Sequence, residues 1–172
     1  NVADTYNNLG LANIHLGNFK KSIKLFEKAI ALKPDHDVAM CNLGLAYTNL
    51  KEVQKAINSY NYAININNQN ISAHYNLGNL YKRLNDIDNA EKYLTKTLEI
   101  SVNYIPAYNN LFELYDKSNQ DDKLKEILSK ARNTLGDNPI INLFEGLYLY
   151  KSKNYIEAIS KLEKANFDER DL

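Results

Sequence analysis

The chain has 172 residues, of which 44% are hydrophobic and 24% charged, the balance of a core-forming protein and not of a disordered tail. Twenty-one Lys and Arg offset 21 Asp and Glu, so net charge argues against a partner held mainly by phosphates and against a polybasic membrane patch. A single cysteine, Cys41, excludes an intrachain disulfide, and no apolar run approaches the roughly 20 residues that span a bilayer.

Apolar residues recur at helical spacing throughout. The pattern predicts ten helices, at 4–16, 20–32, 38–50, 54–66, 72–84, 88–100, 106–118, 122–134, 140–152 and 156–166. In the first, Tyr6, Leu9, Asn13 and Leu16 share a face; in the second, Phe19, Ile23, Phe26, Ala29 and Ile30 do. Gly17-Asn18 marks the turn between them, and Asn85-Asp86 and Ser118-Asn119-Gln120-Asp121 mark the equivalent turns later. Lys33-Pro34-Asp35 closes the first pair, because Pro cannot continue a helix.

The helices repeat in pairs with a period of 34 residues. Leu9-Gly10, Leu43-Gly44 and Leu77-Gly78 coincide, and Leu111 keeps the Leu ahead of Phe112. Asn13, Tyr47, Tyr81 and Tyr115 follow in register. Ala56, Ala90 and Ala158 hold another phase, and Phe26, Tyr60, Leu94, Leu128 and Leu162 a third. The frames are 3–36, 37–70, 71–104, 105–138 and 139–172. A helical glycine costs about 1 kcal/mol relative to Ala. Its return at one phase implies a close approach of the second helix that offsets the cost. Each pair leaves an apolar face that only the next pair can bury, so stability is a nearest-neighbour sum.

This pattern of a large residue, Leu-Gly, Tyr, Ala, Phe, Ala and Pro over one period resembles the tetratricopeptide repeat family. The resemblance implies an all-α fold, a right-handed α-solenoid of five helix-turn-helix repeats. It is most specific in the first three frames. Phe112 stands for the motif Gly, Leu124 for a small Ala and Glu145 for the Leu, so irregular packing is expected in the last two. The opening Asn1 and the lack of a polar capping helix after Leu172 suggest a piece of a longer protein, or self-association through the uncapped C-terminal repeat.

In this family the first helices of the pairs line the concave face. Asn8, Asn42, Asn76 and Asn110 each precede the motif Leu there, and a superhelix would stack them as a ladder. An amide donates through its NH2 and accepts through its oxygen, so it can pair with both polar groups of one peptide unit. The ladder resembles the asparagine row in the repeat superhelix of O-linked N-acetylglucosamine transferase. Two other readings stand beside polypeptide capture: hydrogen bonding between helices, and the abundance of Asn, which occupies 26 positions. Asn7, Leu11, Cys41, Leu45, Tyr75, Asn79, Lys82, Arg83, Asn109, Glu113, Lys117 and Lys151 occupy neighbouring phases and would set side-chain preference. Arg83, Lys117 and Lys151 share one phase and would favour an acidic segment or form a solvated rim. The Lys-rich carboxylate clamp of chaperone-binding relatives has no counterpart: its positions hold Asn7, Leu11, Asn42, Ser72 and Asn76.

No catalytic constellation stands out. Cys41 and His74 are a conceivable thiol–imidazole pair without a third group to orient the base. No His, Cys or carboxylate spacing provides a metal site, and no glycine-rich phosphate loop is present, so neither cofactor nor metal is expected. Asn70-Ile71-Ser72 is a glycosylation sequon at a tight inter-repeat turn, read as accidental. The reading is therefore a cytoplasmic, non-enzymatic scaffold for a protein or peptide ligand, without nucleic acid or membrane partners. The alternative is the substrate-recruiting arm of a larger enzyme, since 114–118 and 138–153 are similar to repeats that precede bacterial sulfotransferase domains, and a glycosyltransferase is another possible host.

Overall fold

The computed structural model describes residues 2–165. All regular structure among them is helical: α1 (Val2–His15), α2 (Phe19–Leu32), α3 (Asp37–Asn49), α4 (Val53–Ile66), α5 (Ile71–Arg83), α6 (Ile87–Ile100), α7 (Ile105–Lys117), α8 (Asp121–Leu135), α9 (Pro139–Lys151) and α10 (Tyr155–Lys164). Each lies within a residue or two of its expected range. The expected end of the last helix at 166, and the remainder of the fifth frame, fall outside the described residues.

Local chemistry sets the boundaries. Asn70 accepts a hydrogen bond from the Ala73 amide at 2.9 Å and caps α5. Asp86 caps α6 and Asn138 caps α9 in the same way, and Pro106 and Pro139 sit in first turns that need no amide donor. The turn inside each pair carries one residue of positive φ, at Gly17, Lys51, Asn85, Asn119 and Lys153. The left-handed turn thus obeys the 34-residue period even where no glycine or asparagine is supplied.

The chain forms two compact units, the first ending at Ser101 and the second beginning at Val102. In the first, α1–α2, α3–α4 and α5–α6 are tight hairpins stacked in order. The glycines set the closeness: a Cβ on Gly44 would lie 2.7 Å from the Tyr60 ring, and one on Gly78 2.9 Å from Leu94. Successive pairs complete one another's cores. Phe26 of α2 packs with Leu43 and Ala46 of α3, and Tyr60 of α4 belongs to one cluster with Ala73, Leu77 and Leu80 of α5. Leu9 is 48% exposed where Leu77 of the same phase is fully buried, because no pair precedes α1 among the described residues to cover it.

The second unit packs less regularly. α9 and α10 close tightly, with Leu162 against Gly146, whereas α7 and α8 meet less extensively. Phe112 occupies the glycine phase, is fully buried, and meets Phe144 of α9 at a ring-centroid distance of 4.4 Å. Leu124 fills the small-residue phase of α8 and is also buried.

Candidate functional site

Within the first unit α1 packs on α3 and α3 on α5, while the second helices α2, α4 and α6 make no comparable contact with one another. The first helices therefore lie on the inner side of a curved stack. These first helices carry Asn8, Asn42 and Asn76. Asn8 is exposed and the other two are half-buried.

The amides engage the neighbouring repeat in a regular way. Asn42 Nδ2 donates to Asn7 Oδ1 at 2.8 Å, and Asn7 Nδ2 donates to Asn8 Oδ1 at 3.4 Å. Asn76 Nδ2 donates to Cys41 Sγ at 3.7 Å. Asn42 and Asn76 thus each reach the position just before the row residue of the preceding repeat. Asn7 and Cys41, expected beside the groove, are instead buried at the contact between first helices. One N–H and the Oδ1 of Asn42 and of Asn76 hold no partner among the described residues. What remains is one donor and one acceptor per amide, the complement of a single peptide unit.

Tyr75, Asn79 and Lys82 are half-buried on α5 and Arg83 is exposed at its end. Asn110 belongs to the second unit, on α7, and is buried, unlike the other three row residues. Glu113 and Lys117 are exposed on the same helix, 3.9 Å apart. Lys151 of α9 lies 3.1 Å from Asp116 and 3.5 Å from Asp121.

The groups considered for chemistry have other partners. Burial pushes the Cys41 thiol up to about 12, against the lowering effect of the Asn76 hydrogen bond, so it stays protonated near neutrality. His74 Nε2 lies 3.1 Å from the Asn68 carbonyl oxygen, and burial lowers the imidazole below its ordinary value. No group of three His, Cys, Asp or Glu suited to a metal converges among the described residues. No helix among them is long and apolar enough to cross a membrane. The sequon residue Asn70 is committed twice, capping α5 and donating to Asp37 Oδ2 at 2.9 Å.

Two depressions lie in the second unit, and the rim of the first includes Glu113, Lys117 and Lys151, which the sequence places beside the groove. One, of about 330 Å³, lies between α7, α8 and α9 and is lined by Phe112, Leu124, Phe144, Leu147 and Tyr148 under a charged rim. Its signal in the sequence was the pair of departures from the repeat pattern, Phe112 and Leu124. The other, of about 570 Å³, lies between α8, α9 and α10. There Arg132 donates from Nε and an Nη to the two carboxylate oxygens of Glu145, and Lys161 lies 2.6 Å from the same carboxylate. Burial alone would raise the Glu145 carboxyl; the hydrogen bonds from Arg132 and then Lys161 outweigh it and hold the group below the usual range. The residue that breaks the Leu phase is thus the centre of an ion network.

Comparison with known proteins agrees with this architecture. Models of the tetratricopeptide repeat match residues 3–36 and 71–104 and, in a second form, 25–58; a related model, the TPR repeat, matches 44–85. No curated protein sequence matches significantly. Among solved structures, Pseudomonas aeruginosa pilF is similar at 20% identity and a TM-score of 0.82, over 98% of this chain and 78% of its own. YrrB, a TPR protein with an unusual peptide-binding site, is similar at 18% identity and a TM-score of 0.68, over 93% of this chain and 82% of its own. The first TPR of Spaghetti (RPAP3), solved with an HSP90 peptide, is similar at 23% identity and a TM-score of 0.64, over 67% of this chain and 92% of its own. With its all-helical pairs, its glycine-gated hairpins and these matches, the chain belongs to the tetratricopeptide repeat family.

Proposed function

We propose that the protein is a non-catalytic interaction scaffold whose first unit holds an extended polypeptide by its backbone, through Asn8, Asn42 and Asn76. The observation that carries this reading is the residual valence of Asn42 and Asn76: after the inter-repeat bond, each keeps one donor and one acceptor without a partner among the described residues. Packed helices lie about 8–10 Å apart and an extended chain rises about 3.3 Å per residue. Successive amides would then meet about every third peptide unit, leaving the intervening side chains unconstrained. Tyr75, Asn79, Lys82 and Arg83 flank this path on α5 and would add side-chain preference. Asn110, Glu113 and Lys117 would act on the same ligand only as members of a separate surface on α7. That YrrB and the RPAP3 domain are described with peptides supports a peptide partner here by analogy of fold.

The test separates capture from helix packing. Asn7→Ala removes the acceptor of Asn42 but leaves both row amides in place. Asn76→Ala removes a row amide at the loss of only a long contact to sulfur. The affinity for a capped, extended peptide rich in Ser, Thr and Val should fall by ~tenfold or more in Asn76→Ala and Asn42→Ala/Asn76→Ala. It should hold in Asn7→Ala, whose melting temperature drops. Unchanged affinity in the double variant would remove the proposal.

A further inference from the structure

We draw no further inference here: the strongest candidate, the depression of about 570 Å³ between α8, α9 and α10, is built around charges that are spent on one another, since Arg132 donates to Gly136, Asp137, Asn142 and Glu145 and Lys161 lies on the same Glu145 carboxylate, and nothing in the structure shows what ligand would cover it.

Discussion

His74 shows how one side chain can tie stability to pH. Its Nε2 faces the Asn68 carbonyl, and its Nδ1 is buried without a hydrogen-bond partner among the described residues. Protonation would place a second N–H in a site with no acceptor. Burial accordingly lowers the folded value beneath the ordinary imidazole value of about 6.5. The unfolded chain therefore binds more protons around that pH, and stability rises with pH there. The contribution is complete above the unfolded value and is lost as pH falls through it. Urea unfolding should show a stability loss as pH falls below the ordinary imidazole value of about 6.5, a loss that shrinks in His74→Gln. A pH dependence identical in the two proteins would contradict this. Other residue-scale features were partly legible. Gly17, Asn85 and Asn119 announced their left-handed turns by residue type. Lys51 and Lys153 adopt the same conformation, and only the 34-residue period reveals it. Asn70 looked like a sequon in sequence; only the structure shows that both ends of its amide are spent on the α5 cap and on Asp37.

At the scale of the elements, hairpin closure follows from the glycine phase. Gly44→Ala improves helix propensity by about 1 kcal/mol. The new methyl, however, would sit 2.7 Å from the Tyr60 ring, which is fully buried with its hydroxyl 3.1 Å from Thr48 Oγ1. The ring has nowhere to swing, so we expect a net destabilisation of about 1–3 kcal/mol by chemical denaturation. A neutral or stabilised variant would contradict the glycine argument. Helix ranges, pairing and glycine contacts were all legible because each is a local or nearest-neighbour property that the period repeats. The interiors of α7–α10 were less so. Phe112, Leu124 and Glu145 break the pattern, and a broken pattern says that packing differs without saying how. The aromatic pair with Phe144 and the Arg132–Glu145–Lys161 network depend on side chains from other helices, which spacing alone does not bring together.

For the whole molecule, repetition turns one helix pair into a surface. In the first unit it brings the first helices side by side and repeats an amide along them. Composition explains why Asn is plentiful, and packing explains why half of the NH2 group at Asn42 and Asn76 is used. The row was visible in the sequence through its period; the inter-repeat bonds to Asn7 and Cys41 were not, since they depend on the rotation of α3 and α5 against their neighbours. The burial of Asn110 was equally hidden, because its phase is that of the exposed Asn8. The most direct measurement follows the side-chain NH2 resonances of Asn42 and Asn76 while an extended Ser/Thr/Val peptide is added, with a backbone N-methylated copy as control. The account predicts saturable shifts at both amides with the parent peptide and none with the methylated one. Binding that leaves these two resonances unmoved, or that persists after N-methylation, would contradict it.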